Sequence, residues 1–383
     1  MKGRDSLQIK IIDYKKEYDD QILRLFYRSI FFSRKELDNA RLPTWHHRYS
    51  LEDHNYQCLA LSDNKFIGSL GLISYDGIVD GKKQKVGFFV DNCIDPDYNH
   101  KYNEIMTQLF DKLENEAKKK KIDIIMGWDY TTQVDKHNEL FQRLGYSRRD
   151  GINWFGGGSR PIYCFSYNNF KLPSMWKIGL KFLSLKFFYY KHKLKRLDDV
   201  IFRNFENNDL AEVVELINTR NETLEFSTRY TKETLNKKIK KYSVQGIIAE
   251  KEKKIHGVLL FFNAPWSGWM FGKPIYNQKY AIILIRHPLE IAVSKIYQNT
   301  ITPHLLLQGY ADESNKGNLM FVGIFDRRET WLTEANIKIG SYELPYDFGT
   351  VIIKNLSEVS MDLSKPIYIP TNLVISPYIS KDY

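Results

Sequence analysis

An internal repeat is the sequence feature that most constrains how this chain folds. Residues 58–73 read CLALSDNKFIGSLGLI and residues 247–262 read IIAEKEKKIHGVLLFF. Three residues match without a gap at an offset of 189 positions: Ala60, Lys65 and Gly68 with Ala249, Lys254 and Gly257. Each copy has an apolar run, a charged turn and a second apolar run. This pattern predicts a β-hairpin whose second strand carries the glycine.

A second pair of segments supports the duplication. Residues 9–26 (IKIIDYKKEYDDQILRLF) and residues 200–217 (VIFRNFENNDLAEVVELI) are offset by 191 positions. Each predicts a short strand, a polar turn and an amphipathic helix. A chain of 383 residues also exceeds one ordinary domain. We therefore predict an N-terminal domain over residues 1–165, a linker over 166–199 and a degenerate second copy over 200–383.

The linker is strongly basic. Its basic residues are Lys171, Lys177, Lys181, Lys186, Lys191, Lys193, Lys195 and Arg196, against the acids Asp198 and Asp199. Apolar residues recur at spacings of four and three: Trp176, Leu180, Leu183, Phe187, Tyr190, Leu194 and Leu197. This spacing predicts an amphipathic helix. Such a helix either packs between the domains, lies on an anionic membrane through residues 171–197, or contacts RNA.

Composition narrows the class of protein. Hydrophobic residues make up 43% of the chain and aromatic residues 14%, enough for buried cores. No apolar run is long enough to span a bilayer, and the three scattered cysteines form neither a metal pair nor a disulfide framework. We therefore expect a cytoplasmic protein. The net charge of +10 favours anionic partners, but spread-out basic residues without an aromatic platform disfavour nucleic acid.

One segment of the first copy predicts a ligand cleft. Residues 82–98 (KKQKVGFFVDNCIDPDY) read as a strand, followed by a helix from about residue 103 to 120, a strand at 122–126 and a helix at 135–146 that ends at Gly145. This order implies a mixed sheet split around a cleft. The strand-to-helix junction at 95–103 is a natural phosphate site, because backbone N–H groups at a helix start are free.

These segments resemble the GCN5-related N-acetyltransferase (GNAT) superfamily, and more narrowly two-domain members from surface-polysaccharide loci. The resemblance lies in PTWHHRY (43–49), Gly68, VDNCIDPDY (90–98), MGWD (126–129) and LFQRLGY (140–146). It covers about residues 8–155, whereas over 200–360 it rests on the repeat. It implies an α/β fold of two tandem domains, each a twisted, mixed but mainly antiparallel sheet flanked by helices, with splayed fourth and fifth strands. N-myristoyltransferases and Fem-type aminoacyl transferases show a similar tandem arrangement.

The resemblance also implies a donor site for acetyl-CoA or another acyl-CoA. The pantetheine arm would enter the splay and pair with the backbone of Asn92, Cys93 and Ile94. The phosphates would meet the helix start, at Asn99, His100, Lys101, Tyr102 and Asn103. This stretch lacks the glycines that the family uses to bring the backbone close to pyrophosphate.

Catalytic candidates follow from the same resemblance. Asp91 is the expected base, because its strand should line the cleft. The family's tyrosine acid is replaced by Phe141, so Tyr130 and Tyr146 are the substitutes. Contacts to the acceptor are expected from Trp45, Arg48, Trp128 and Asp129. No metal is expected, because the adjacent His46 and His47 cannot easily share one.

The second copy is predicted to be further from an active pattern. Residues 281–288 read as a strand that leads directly into a helix over 289–301, with Pro288 in its first turn. Trp266 and Trp269 either stack on a ligand or pack in a hairpin tip. Gly156, Gly157 and Gly158 are expected to form a flexible turn.

The leading hypothesis is an N-acyltransferase that moves an acetyl or other acyl group from CoA to an amine, with its chemistry in the N-terminal domain. The acceptor would be an amino sugar, a peptide or a small amine. Two alternatives stay open: a binding protein that retains the fold without catalysis, and an aminoacyl or fatty-acyl transferase with another donor. The sequence does not set the oligomeric state.

Overall fold

A computed structural model of the chain describes residues 8–31, 55–157, 185, 189–190, 192–266, 283–310, 319–343, 349–359 and 361–369. The strands in these ranges are β1 Lys10–Asp13, β2 Asn55–Ser62, β3 Lys65–Val79, β4 Lys82–Ile94, β5 Ile124–Tyr130, β6 Ser147–Gly157, β7 Ile201–Asn204, β8 Phe226–Ser227, β9 Gln245–Lys251, β10 Lys254–Trp266, β11 Ile283–Val293, β12 Leu319–Asp326, β13 Tyr342–Glu343 and β14 Gly349–Asn355. The α-helices are α1 Asp19–Phe31, α2 Tyr102–Lys119, α3 Thr131–Lys136, α4 Asn138–Arg143, α5 Leu210–Asn221, α6 Lys232–Tyr242, α7 Gln298–Tyr310 and α8 Thr330–Lys338.

Both predicted hairpins are present and turn in the same way. In the first, Asp63 and Asn64 join β2 to β3 with φ values of 49° and 61°. In the second, Glu252 and Lys253 join β9 to β10 with φ values of 52° and 62°. Positive φ at both central residues matches the right-handed twist of paired strands. The strand and helix predicted upstream of each hairpin are also found, as β1 with α1 and β7 with α5.

The glycine shared by the two copies lets a helix approach the sheet. A Cβ atom on Gly68 would lie 3.0 Å from Ile105 and 3.2 Å from Leu109, both on α2. A Cβ atom on Gly257 would lie 2.8 Å from both Ile301 and Leu305, on α7. In each copy a larger residue would push the helix away, which explains why glycine stands at both positions.

One continuous sheet joins the two copies. Its order is β1-β2-β3-β4-β5-β14-β6-β12-β11-β10-β9-β7, while β13 pairs with β6 and β8 pairs with β3. The β4–β5 and β11–β12 ladders are parallel, and the other ladders are antiparallel. The predicted α/β class, with a mixed, mainly antiparallel sheet flanked by helices, is confirmed.

The centre of the sheet is an exchange of strands. β14, from the second copy, pairs with β5 of the first copy, and β6, from the first copy, pairs with β12 of the second. Gly156 and Gly157 lie in β6, opposite Val322 and Phe321. The expectation of a flexible turn is therefore wrong for these two glycines, because their backbone is needed in the exchanged ladder; Gly158 lies outside the described residues.

A buried ion pair holds the exchange together. Arg149 of β6 donates a hydrogen bond to Asp326 at the end of β12 at 2.5 Å, and both side chains are almost fully buried. Arg149 also donates to the carbonyl oxygens of Leu363 and Lys365. Asp326 accepts a hydrogen bond from the backbone N–H of Ile367 at 2.7 Å. The pair therefore connects β6 of the first copy, β12 of the second copy and the segment 363–367 through one set of hydrogen bonds.

Three apolar cores lie on the two faces of the sheet. One core spans both copies and includes residues of α1, α5 and α6. On the other face, α2 and α4 cover a core in the first copy, and α7 and α8 cover a core in the second. The two copies thus share one apolar core on the first face of the sheet and have separate cores on the second face.

Part of the predicted linker helix is described. Residues 185, 189–190 and 192–193 are helical, and the helix has ended by residue 194. Tyr190 lies against Gly340, just after α8, and Leu194 and Leu197 pack against the core under α7 and α8. Trp176, Leu180, Leu183 and Phe187 lie outside the described residues. No helix in the described part of the chain is both long and apolar enough to cross a bilayer.

Replacing the shared glycines by alanine tests the close approach of the helices. We expect Gly257→Ala to lower the free energy of unfolding by about 1–3 kcal/mol, because two core side chains must move. Gly68→Ala should cost less, since its contacts are longer. Urea unfolding of both variants and the parent protein measures this order. Equal stability of Gly257→Ala and the parent would contradict it.

The strand exchange predicts that the copies do not fold separately. A fragment of residues 1–199 lacks β14, so the edge of β5 loses its antiparallel partner. We expect fragments 1–199 and 200–383 each to lack cooperative urea unfolding, and the two together to regain it, because each supplies a strand to the other. Cooperative unfolding of the isolated first fragment would show that the exchange is dispensable.

Candidate functional site

A cleft opens in the first copy where β4 and β5 separate. The two strands pair from Val86 with Ile124 to Phe89 with Gly127. The Phe89 ring lies over Gly127, where a Cβ atom would be only 2.2 Å from it. Beyond this rung β4 continues to Ile94 and β5 to Tyr130, and β5 pairs with β14 on its far side. The expected splay of the fourth and fifth strands is present.

Asp91 lies on β4, two residues beyond its last rung with β5. The β3–β4 register shifts between Ser69 and Gly71, and Asp91 has a φ of 60°. A positive φ is uncommon for a residue with a side chain and marks a bulge that redirects the strand. The Asp91 side chain is buried, with 6% exposed. The structure thus holds a carboxylate inside the molecule at the mouth of the splay.

The backbone edge of β4 follows directly. Asn92 is half-buried, whereas Cys93 and Ile94 are buried and pack into the cores on opposite faces of the sheet. Beyond the Phe89–Gly127 rung, β4 has no ladder with β5. This edge is where an extended ligand would add hydrogen bonds to the strand.

The helix start beyond the cleft carries paired charges. Asp95 accepts a hydrogen bond from the backbone N–H of Asp97, which caps a 3₁₀ turn over Pro96–Lys101 that leads into α2. The Asp95 carboxylate also lies 2.8 Å from both Arg28 and Lys65. Arg28 donates to Asp97 at 3.0 Å and lowers the pKa of that carboxyl group. The acids at this junction are therefore neutralised by basic side chains from α1 and β3.

The predicted phosphate contacts divide into exposed and engaged residues. Asn99, His100 and Asn103 are exposed. Lys101 forms an ion pair with Glu104 at 2.9 Å. The Tyr102 ring stacks on His137 with 3.6 Å between centroids. Burial lowers the pKa of His137 to about 4, so this imidazole is neutral near pH 7.

The second arm of the cleft carries the MGWD segment. Trp128, Asp129 and Tyr130 lie on β5 past its last rung with β4, opposite Val351, Thr350 and Gly349 of β14. Trp128 is half-buried and its indole covers Gly349, where a Cβ atom would be 1.9 Å away. The structure therefore places these residues and Asp91 on facing arms of one cleft. Trp45 and Arg48 lie outside the described residues.

Tyr146 lies in the core under α2. Its ring packs against Phe89, Phe110 and Phe141, and burial raises the pKa of its hydroxyl group well above the ordinary value. Lys354 lies 5.3 Å from the ring centroid. Phe141, at the family's tyrosine position, is buried in the same cluster. The surroundings of Tyr146 are those of a packed aromatic residue.

The second copy contains a matching cleft between β11 and β12. These strands pair from Leu284 with Leu319 to Arg286 with Phe321 and then separate. Pro288 lies inside β11 at a register shift, not in the first turn of a helix, and α7 begins only at Gln298. The expectation of a helix from residue 289 is therefore wrong. A bulge tolerates proline because its N–H is not needed in the ladder.

Glu290 is the counterpart of Asp91. Gly68 faces Ile94 and Gly257 faces Val293, so counting back three residues leads to Asp91 and to Glu290. Glu290 is 2% exposed, and burial raises its pKa. The Tyr230 hydroxyl donates to it at 2.6 Å, and Lys238 donates to that hydroxyl at 3.1 Å.

The second cleft is filled by the chain itself. Arg220 makes two hydrogen bonds to Glu329, at 3.1 Å and 2.5 Å, and lies 3.8 Å from Glu290. The Tyr368 hydroxyl donates to the carbonyl of Leu289 at 3.2 Å. The remaining cavity, of about 20 Å³, holds about one water molecule. Its lining is Arg220, Pro288, Leu289, Glu290, Ile291, Ile324, Phe325, Asp326, Glu329, Ile367, Tyr368 and Ile369.

Sequence reasoning missed this buried polar cluster. The run LEIAV at 289–293 is short and apolar, and such a run does not distinguish a strand from a helix. The repeat is the signal that identifies Glu290. Once Gly257 is aligned with Gly68, the strands that follow them also align, and Glu290 then corresponds to Asp91. Among the described residues, no three His, Cys, Asp or Glu side chains are grouped as metal ligands.

Comparisons with known proteins identify the fold. No protein-family model and no curated protein matches the chain. Among solved structures, the GCN5-related glucosamine N-acetyltransferase region of a fungal multi-domain GH3 β-N-acetylglucosaminidase is 13% identical, with a TM-score of 0.59 over 92% of this chain and 38% of that one. Saccharomyces cerevisiae N-myristoyltransferase with bound myristoyl-CoA is 11% identical, with a TM-score of 0.54 over 96% of this chain and 86% of that one. The chain therefore has the fold of the GNAT superfamily, as its sequence indicates.

Acid should destabilise the helix start through His137. The pKa of His137 is about 6.5 in the unfolded chain and about 4 in the folded protein. As the pH falls between these values, the unfolded chain therefore binds a proton that the folded protein does not. Stability is therefore lost as the pH falls through this window, by about 2 kcal/mol at pH 5. His137→Phe keeps the stack on Tyr102 but cannot titrate. Urea unfolding near pH 7.5 and near pH 5 should show a smaller loss for the variant; an equal loss would exclude His137 as the cause.

Proposed function

We propose that the chain is an acyl-CoA-dependent N-acyltransferase and that transfer occurs in the cleft between β4 and β5. The observation that carries this proposal is Asp91, a buried carboxylate on a bulge where two parallel strands separate. The solved structures that share the fold include an N-myristoyltransferase with bound myristoyl-CoA and a glucosamine N-acetyltransferase region. They support a CoA thioester as donor and an amine as acceptor.

The first cleft provides a path for the donor along β4 and towards the start of α2. In this proposal the pantetheine arm of the donor runs along β4 from Asn92 to Ile94, past the last rung of the β4–β5 ladder, as an added strand would. The 3₁₀ turn and the start of α2 then meet the phosphates, with the side chains of Asn99, His100 and Asn103 exposed there. Arg28 and Lys65 offset the charge of Asp95 and Asp97, which would otherwise repel an anionic donor.

The second cleft is a poorer place for a donor. Its interior is occupied by Arg220, Glu329 and Tyr368, and the space left is about that of one water molecule. A pantetheine arm cannot enter without displacing a buried ion pair, which is costly. This contrast supports assigning the chemistry to the first copy.

The second copy can form a wall of the acceptor site. Its strand β8 pairs with Ile78 and Val79 of β3. The Phe226 ring lies 6.1 Å from Tyr75, whose hydroxyl is 3.9 Å from the sulfur of Met126 on β5. An amine that enters on this face would meet side chains of both copies beside the cleft.

Acyl transfer replaces the C–S bond of the thioester by a C–N bond and needs a group that accepts the proton of the amine. The amine nitrogen attacks the thioester carbonyl carbon, the C–N bond forms and the C–S bond breaks. Asp91 takes the proton lost by the nitrogen, directly or through one water, and the departing thiolate takes a proton from solvent. Trp128, Asp129 and Tyr130, on the facing arm, would orient the acceptor.

Two features favour a second candidate, a binding protein without catalysis. Phe141 stands where the family has a tyrosine acid, and Asp95 and Asp97 lie at the proposed phosphate site. A protein of this kind would bind a ligand between the copies and would not release CoA.

Calorimetric titration with acetyl-CoA and longer acyl-CoAs tests the proposal. We expect micromolar binding that weakens about tenfold or more in a His100→Ala, Asn103→Ala variant, because phosphate contacts are charge-assisted. Release of free thiol on addition of amino sugars, peptides or polyamines measures turnover. Asp91→Asn should keep donor binding and lower turnover by about 10²–10⁴-fold.

Glu290→Gln is the matched control, because it makes the same change at the equivalent position of the second cleft. It should leave turnover within a few-fold of the parent protein. Loss of turnover in Glu290→Gln alone would move the chemistry to the second cleft. Failure to bind any acyl-CoA would overturn the enzyme proposal.

A further inference from the structure

Large exposed apolar side chains concentrate on the linker and the second copy. The described examples are Leu185 (65% exposed), Tyr189 (56%), Ile201 (63%), Ile296 (79%) and Ile337 (57%). All five follow residue 166, although the first copy supplies a large share of the described chain. Single exposed apolar residues are ordinary, but a group on one part of a molecule indicates a contact surface.

The linker helix has apolar residues on two sides. Tyr190 lies against Gly340, and Leu194 and Leu197, just beyond the helix, pack against the core under α7 and α8. Leu185 and Tyr189 are four residues apart, so they share another side of the helix, and both are exposed. Packing against the protein therefore does not account for this second side.

The linker helix is close to the ends of α7 and α8. Tyr190 contacts Gly340, which follows α8, and Lys338 of α8 donates to the carbonyl of Asn299 at the start of α7 at 3.3 Å. Ile337 precedes Lys338, and Ile296 lies in the 3₁₀ turn before α7. We call Leu185, Tyr189, Ile296 and Ile337, together with Lys193, Lys295 and Lys338, the linker face.

Charge indicates what covers the linker face. Lys193 lies over the Tyr189 ring, 4.3 Å from its centroid, and Lys295 and Lys338 flank Ile296 and Ile337. Four acids are near: Glu334 is exposed on α8, Asp198 is paired with Arg196, Asp199 is paired with Lys251, and Glu252 is exposed in the β9–β10 turn near His256, whose ring contacts Tyr297. Glu252 has Lys251, Lys253 and Lys254 beside it in the chain. The linker sequence over 171–196 adds further lysines and no acid. Apolar side chains surrounded by lysines match the boundary between acyl chains and anionic headgroups.

We propose that the linker face docks on the surface of an anionic lipid bilayer. Leu185, Tyr189, Ile296 and Ile337 insert into the headgroup boundary, and Lys193, Lys295 and Lys338 pair with lipid phosphates. The protein lies on the membrane and does not cross it. This inference is independent of the proposed acyl transfer, because no residue of the first cleft takes part.

Vesicle sedimentation with the full-length chain tests the docking. The vesicles are pure phosphatidylcholine, or phosphatidylcholine with about 30% phosphatidylglycerol, in low salt and in about 0.5 M salt. We expect binding to the anionic vesicles in low salt, its loss in high salt, and weak binding to neutral vesicles. Lys193→Glu, Lys338→Glu should lower the partition coefficient by about 25-fold or more, because each lysine near an anionic surface contributes about fivefold.

Two further variants separate the linker face from overall charge. Lys82→Glu, Lys118→Glu makes the same change in net charge at exposed positions of the first copy and should bind nearly as well as the parent. Leu185→Ser, Tyr189→Ser keeps the charge and should bind at least tenfold more weakly, because it removes apolar contact with lipid. Circular dichroism and thermal unfolding confirm that each variant is folded.

Three outcomes would overturn the proposal. The first is no binding of the parent protein to anionic vesicles in low salt. The second is an equal loss in the Lys82→Glu, Lys118→Glu control, which would mean attraction by net charge alone. The third is a dimer in analytical ultracentrifugation that Leu185→Ser, Tyr189→Ser dissociates without changing vesicle binding, which would make the linker face a contact between copies of the chain.

Discussion

The exchange of β6 and β14 is the constraint on which the rest of the structure depends. Each copy leaves the edge of its fifth strand open, and the partner strand comes from the other copy. The buried pair of Arg149 and Asp326 lies at this crossing and also holds residues 363–367. Removing either charge would leave the other buried without a partner of opposite charge, which is costly. The pair therefore stabilises the arrangement in which the copies exchange strands. The duplicated halves therefore share one sheet, although the sequence divides them clearly.

One fold produces two clefts with different contents. In both copies a parallel pair of strands separates after a few rungs, and a buried carboxylate stands beyond the separation, Asp91 in one and Glu290 in the other. In the second copy, Arg220, Glu329 and Tyr368 fill the opening and pair with one another or with the backbone. These interactions stabilise the closed cleft, because a ligand would have to replace both the ion pair and its packing. The same topology thus leaves the proposed donor cleft in one copy and holds a buried ion pair in the other.

The chain has a net charge of +10, but the excess of positive charge differs from one part of the molecule to another. At the start of α2, Arg28 and Lys65 are used to neutralise Asp95 and Asp97, so the excess positive charge there is small. Around the linker and the ends of α7 and α8, lysines outnumber acids and stand beside exposed apolar side chains. Local pairing, more than total charge, therefore decides where an anionic partner is attracted.

The sequence by itself determined the repeat and both hairpins, because these depend on local periodicity and on matches between the two copies. The splayed strands of the first copy were implied by the resemblance to the GNAT superfamily, and so was the place of Asp91 beside them. The sequence did not reveal that Gly156 and Gly157 belong to an exchanged strand, or that Pro288 lies within β11. Gly156 depends on a partner more than a hundred residues away, Val322 of β12. Pro288 depends on its pairing with Phe261 of β10 beside a register shift, which the apolar run after it does not reveal. Only the tertiary structure decided that Glu290, Tyr230, Arg220 and Glu329 meet in one buried cluster, because their contacts join β11, α5, the segment before α6 and the start of α8. Local sequence patterns carry no information about which distant strand supplies the missing hydrogen bonds or which buried charge finds its partner.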